Sequence, residues 1–160
     1  MNRIAFQDES YCNGNVCWVC GKENAHGLYI KSYWEGDESV CIWKAEDFHT
    51  AGWPHVLNGG IISGIIDCHC VQTAMAASYK DSNGEERGSP PYWFATASLK
   101  VDFLKPTPMD NPVQLRARVK EMHTKKALVT CSLYSDGVEC ARGEVLAVRV
   151  PAGAGPKKNI

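Results

Sequence analysis

The segment from Asn58 to Ser78 limits what this chain can fold into more than any other part. From Gly59 to Ser78 the residues are apolar nearly all round, and Asp67 is the one residue with a formal charge. A helix with that character is buried. A lone carboxylate in a buried helix is costly unless it is paired or hydrogen-bonded. Asp67 is therefore a functional candidate on physical grounds. Asn58 is suited to cap the helix. Gly59 and Gly60 carry no side chains, so another group can approach their N–H groups closely. A helix N-terminus also favours negative charge. One segment thus offers an oxyanion-type donor site and a buried carboxylate.

The rest of the chain narrows the class. Its 160 residues suffice for one domain with a sizeable core. A net charge of -1 argues against a nucleic-acid partner. No apolar run approaches the ~18 residues that suggest a membrane span. Met1 to Ser10 is polar and reads as no signal peptide. On that reading the chain is cytoplasmic. Its eight cysteines are then free thiols in a reducing compartment, or part of a metal site. Cys12, Cys17, Cys20 and His26 supply four zinc-type ligands in sequence. A single CxxC is weak evidence, and packing as small hydrophobes is the favoured reading. No metal is assigned.

Strand signals flank the helix. Gly27 to Trp34 and Ser39 to Ala45 read as strands joined at Glu35-Gly36-Asp37. Asp47 to Leu57 is a loop that delivers the chain to Asn58. Residues 80–91 form a polar, breaker-rich loop. Trp93 to Leu104 alternates, with Ala97, Leu99, Val101 and Phe103 on one side and Thr96, Ser98, Lys100 and Asp102 on the other. Val113 to Lys120, Ala127 to Tyr134 and Val138 to Val150 continue the series, with a hairpin signal at Ser135-Asp136-Gly137. The prediction is an α+β fold, an antiparallel sheet of about five to six strands around one long central helix. Residues 1–150 read as a single domain, with a Cys-containing N-terminal segment at 1–26 and the helix at 59–78. Residues 151–160 read as a disordered tail.

With the motif Asn58-Gly59-Gly60-x6-Asp67, this element order resembles the hotdog-fold acyl-CoA thioesterases of the phenylacetate-type, Asp-dependent branch. Cys17-Trp18-Val19-Cys20-Gly21, Asn24-Ala25-His26-Gly27-Leu28 and Val101-Asp102-Phe103-Leu104-Lys105-Pro106 are similar to segments of that family. The likeness spans roughly residues 12–150. It implies the hotdog fold, hydrolysis of an acyl-CoA, and a homodimer with shared active sites or a dimer of dimers. It also implies that Thr96 matches a position where relatives place a Ser or Thr that helps hold water. One departure stands out. The family usually has His where this chain has Asn58, and Asn can cap and donate but cannot shuttle a proton.

The residues permit that chemistry. Thioester hydrolysis needs a donor for the charge that develops on the carbonyl oxygen. The Gly59 N–H suits this, with or without that of Gly60. It also needs an activated water or a nucleophile. Asp67 suits either role. Asp67 lies seven residues after Gly60, about 10 Å along the helix axis, too far for one helix to serve one carbonyl. A two-fold dimer that brings Asp67 of one chain to Gly59 of the other resolves this.

Other candidates follow. His49 and Trp53 of the approach loop are assigned to substrate binding, and Trp93 and Phe94 suit an acyl pocket or the core equally. Thr96 lies on the polar parity of its strand, so a bulge or a subunit seam must bring it to the site. His69, Cys68 and Cys70 read as core residues. Lys100, Lys105, Arg116, Arg118, Lys120 and Arg142 are unranked candidates for the CoA phosphates. No GxSxG elbow, P-loop or dinucleotide fingerprint occurs, so neither a serine hydrolase nor a nucleotide cofactor is indicated. The main alternative is a non-catalytic acyl-CoA-binding or sensing protein on the same fold. A hydratase and a zinc module are weaker readings.

Overall fold

The computed structural model describes residues 3–81 and 92–151. The expected loop at 80–91 and the tail at 151–160 therefore lie almost wholly outside the described residues. Strands β1 (Ser32–Glu35) and β2 (Glu38–Trp43) precede the helix α1 (Gly59–Asp81). Strands β3 (Tyr92–Phe103), β4 (Val113–Met122), β5 (Lys126–Ser135) and β6 (Val138–Pro151) follow it. All six pair in one antiparallel sheet, in the order β1-β2-β4-β5-β6-β3. β3 is the far edge strand, beside β6. The β5–β6 hairpin turns through Asp136 and Gly137, both at positive φ (49° and 76°), as a two-residue turn compatible with sheet twist requires.

The helix lies across one face of this sheet. Ile61, Ile62, Ile65, Ile66, Cys70 and Ala74 of α1 share a buried core with Leu115, Val129, Leu133, Val145 and Ala147 of the strands. Gly143 on β6 marks the closest approach, since a Cβ there would overlap Ile66 Cγ2. Those alternating strand positions are the apolar rows visible in the sequence.

Helix α1 is apolar on its other side because the N-terminal segment covers it. Tyr11, Cys12, Val19 and Cys20 belong to the same buried cluster, and the Tyr11 ring stacks on Tyr79 with centroids 4.6 Å apart. Gly59–Lys80 is long and apolar enough, by length and composition, to cross a bilayer, which corrects the expectation of no such segment. Its most apolar window is 67% buried inside the fold, as befits a core helix.

Several details differ from the sequence expectation. The helix runs to Asp81 rather than Ser78. The first strand is only Ser32–Glu35, not Gly27 to Trp34. Tyr29 sits at φ 53°, and the N–H groups of Leu28 and Ile30 donate to the carbonyls of Trp18 and Val19 instead of to a strand. The N-terminal turn has captured the first half of that apolar run. Lastly, β3 carries a bulge between Thr96 and Ser98, where Ala97 is the extra residue opposite β6.

Candidate active site

Asp67 projects from the middle of α1 and is half-buried. The Thr96 hydroxyl donates to its Oδ1 at 2.6 Å. The Ala97 bulge makes this contact possible. Thr96 pairs with the buried Ala147, and past the bulge Leu99 pairs with the buried Val145, so both face the helix. Without the extra residue their parities would oppose. Burial pushes the Asp67 carboxyl above the usual aspartate range, the Thr96 hydrogen bond opposes this, and the charge of Cys17 adds to it.

Asp67 and Thr96 open onto a cavity of 240 Å³, walled by Trp93, Phe94, Val71 and Met75 and closed on one side by the N-terminal segment. Trp93 and Phe94 thus line the space beside the carboxylate. Trp53 does not; its side chain is 73% exposed on the approach loop, where the flanking residues hold only its backbone carbonyl.

The helix N-terminus forms a separate concavity. Asn58 Oδ1 accepts hydrogen bonds from the N–H groups of Gly60 (2.8 Å) and Ile61 (3.3 Å). Asn58 is thus the N-cap, and the expected second free donor, the Gly60 N–H, is already engaged by it. The Gly59 N–H has no hydrogen-bond partner among the described residues. His49 stands next to this cap. Its carbonyl accepts from Asn58 N–H at 3.0 Å, and its Nδ1 accepts from Glu46 N–H at 2.9 Å. In the neutral ring the proton is then on Nε2. Asn58, Gly60, His49, Trp18, Phe48 and Ile61 line this concavity, and none of them lines the Asp67 cavity. Gly59 and Asp67 are eight residues apart, about 12 Å along the axis. One chain therefore keeps the carboxylate and the free N–H apart.

His69 is fully buried, with Nδ1 2.8 Å from Ser32 Oγ and Nε2 3.2 Å from Ser39 Oγ. Burial lowers its pKa to about 4, so it is neutral at physiological pH. It is a core histidine tying α1 to β1 and β2. This network joins Gln7, Ser32, Ser39 and Thr73, and the sequence offered no sign of it because its members are far apart in the chain.

The cysteines regroup. Cys17, Cys20 and Cys68 place their sulfurs within 4.8 Å of one another, on the wall of the Asp67 cavity. Cys12 instead donates to Gln72 Oε1 at 3.3 Å, and His26 lies on an exposed turn with its N–H bonded to Asn24 Oδ1. The quartet suggested by spacing is therefore not assembled, and Cys68, read as a core residue, joins the pair from the N-terminal turn. Gln72, one turn beyond Cys68, also lines this cavity. Gln72 follows Cys68 by four residues, the spacing that places the two on one helix face.

Of the basic candidates, five are engaged in ion pairs. Arg116 pairs with Glu35 and Glu38, Arg118 with Glu38, Lys100 with Asp102, Lys120 with Glu144 and Arg142 with Glu139. Lys105 has no ion pair among the described residues.

Comparison with known proteins agrees with this architecture. Residues 55–141 match the family model described as the thioesterase superfamily. A thioesterase superfamily protein from Shewanella loihica PV-4 is 36% identical, with a TM-score of 0.63 over 80% of this chain and 96% of that one. The PaaI protein of the phenylacetic acid degradation operon of E. coli has a TM-score of 0.60 at 13% identity over 77% of this chain and 80% of that one, a likeness of fold alone. The acyl-coenzyme A thioesterase THEM4 of Rattus norvegicus is 26% identical over 96 residues, 60% of this chain. The match spans about a third (35%) of that curated relative's length.

Proposed function

Because the chain belongs to the thioesterase superfamily, we propose that it hydrolyses an acyl-CoA thioester to the free acid and CoA, using Asp67. One observation carries this reading. A half-buried helix carboxylate, oriented by a threonine hydroxyl at 2.6 Å, lines a cavity walled by aromatic and aliphatic side chains.

Asp67 takes the proton of an attacking water, or attacks the carbonyl itself to form an anhydride that water then opens. Thr96 holds the carboxylate in place, and its hydroxyl oxygen remains able to accept a hydrogen bond from that water. The Gly59 N–H of a second chain receives the developing oxyanion, and the N-terminal end of α1 adds its dipole. His49, with its Nε2–H beside the cap, is a second donor for the substrate there. The CoA sulfur leaves as a thiolate, a good leaving group at neutral pH since thiols ionise near pH 8.5. The unpaired N–H and the carboxylate of one chain sit too far apart for one substrate, which supports a homodimer with two shared sites. On this reading the chain is assigned to the phenylacetate-type, Asp-dependent branch.

The test is a panel of acyl-CoAs with release of free thiol followed. Turnover that falls by about 10²–10⁴-fold in Asp67→Asn supports the reading. A protein that binds CoA tightly and turns over no acyl chain would sink it. That result would favour a non-catalytic acyl-CoA-binding role, consistent with Asn58 having both its cap bonds made and no proton to shuttle.

A further inference from the structure

We propose that Cys17, Cys20 and Cys68 form a three-thiolate site for Zn2+, with its fourth position open to the Asp67 cavity. This inference does not depend on the thioesterase reading.

Geometry is the first support. Four sulfurs placed tetrahedrally at ~2.3 Å from zinc lie about 3.8 Å from one another. Here Cys17 Sγ and Cys68 Sγ are 3.6 Å apart, and all three sulfurs lie within 4.8 Å of one another. Closing round one ion therefore needs movements of a fraction of an ångström to about one ångström.

The backbone that presents the thiols is the second support. Gly21 N–H donates to Cys17 carbonyl at 2.8 Å, closing a turn over Cys17–Gly21. A Cβ on Gly21 would lie 2.6 Å from Asn15 carbonyl and 2.7 Å from Cys17 carbonyl, so no other residue fits. This turn aims both its thiols at α1, where Cys68 meets them.

Supporting donors are the third. Asn15 Nδ2 and Gln72 Nε2 approach Cys20 Sγ at 3.7 and 3.8 Å, and Asn15 Oδ1 accepts the Cys17 N–H at 2.9 Å. Amide N–H donors around sulfur are what a thiolate requires and what a packed apolar thiol does not. A soft, all-sulfur donor set selects Zn2+ over Mg2+ or Ca2+. Cys17, Cys20 and Cys68 all line the cavity that holds Asp67, so the fourth ligand comes from that space, as water. Binding releases the thiol protons to solvent.

The test uses the full chain, reduced, stripped with chelator and titrated with Co2+ under anaerobic conditions. The expected result is one equivalent bound, with thiolate-to-cobalt charge-transfer absorption and intense tetrahedral visible bands, both abolished by one equivalent of Zn2+. Cys17→Ser, Cys20→Ser and Cys68→Ser should each weaken binding by more than about a hundredfold, beyond the loss of a merely supporting group. Cys140→Ser, on β6 outside the cluster, should leave the titration unchanged. Should a variant fail to fold, alkylation of the wild-type protein with and without Zn2+, mapped by mass spectrometry, reads the same site. Protection confined to Cys17, Cys20 and Cys68 supports the site. A folded, reduced protein that binds no Co2+, a folded Cys17→Ser that binds it unchanged, or protection elsewhere overturns the proposal.

Discussion

Asp67 carries a cost that its neighbours only partly offset. Its pKa in the folded protein is raised, first by burial. For a carboxyl raised in the fold, the associated stability is fully present below the unfolded value of about 3.9 and is lost as pH rises through the folded value. Toward neutral pH the burial of Asp67 therefore costs the protein stability. Asp67→Asn keeps an acceptor for Thr96 and removes the charge. It should raise the denaturant midpoint at pH 7 while turnover collapses, and the gain should vanish near pH 3. Equal midpoints at both pH values would contradict this account of the burial. Thr96 is a second test at this scale. Its hydrogen bond favours the carboxylate, so Thr96→Val should move the acidic limb of the kcat/KM profile to higher pH and lower turnover. A limb that stays in place would remove Thr96 from the site.

Among the elements, α1 and β3 position the chemistry. The helix can lie close to the sheet because Gly143 leaves room beneath Ile66. Gly143→Ala should therefore cost about 1–3 kcal/mol by overpacking, read as a lower denaturant midpoint with an unchanged m-value. A neutral result would mean that α1 rides higher than described. In β3 the Ala97 bulge rotates the first half of the strand so that Phe94 and Thr96 join Leu99 on the helix side. Clean alternation in the sequence hid this, because a one-residue insertion leaves each half of the pattern intact. The N-terminal segment is the third contributor. Short 3₁₀ turns at Phe6–Asp8 and Ser10–Cys12 lay it along α1, which is how a segment read as a polar Cys-rich turn came to wall the cavity.

The whole molecule leaves β3 at the edge of the sheet, with Leu99 (39%) and Phe103 (56%) exposed on the helix side. A long edge with exposed apolar residues invites pairing. A dimer through that edge would bring two central helices together. Complementation tests the shared site directly. Gly59→Pro removes the free N–H at the first helical position, where proline is tolerated. Alone it should lower kcat by about 10²–10³-fold. Co-refolded with an equal amount of Asp67→Asn, it should restore about a quarter of wild-type turnover, because half the random pairs are mixed and each mixed pair holds one intact site. A mixture no better than its parents would place each site within one chain.

The local pattern alone determined a good deal here. Strand alternation, the charge-poor run after Asn58 and the turn residues at Asp136-Gly137 specify a sheet around one helix, because each depends on neighbours in the chain. The same run singled out Asp67, since a charge among apolar residues is visible without any contact being known. Tertiary structure decided the remainder. It turned Thr96 onto Asp67, gave the Gly60 N–H to Asn58, left Trp53 in solvent, and exchanged Cys12 and His26 for Cys68 beside Cys17 and Cys20. Each of these depends on segments tens of residues apart meeting at ångström precision. Residue type and spacing along one element carry no information about such meetings; packing between elements does.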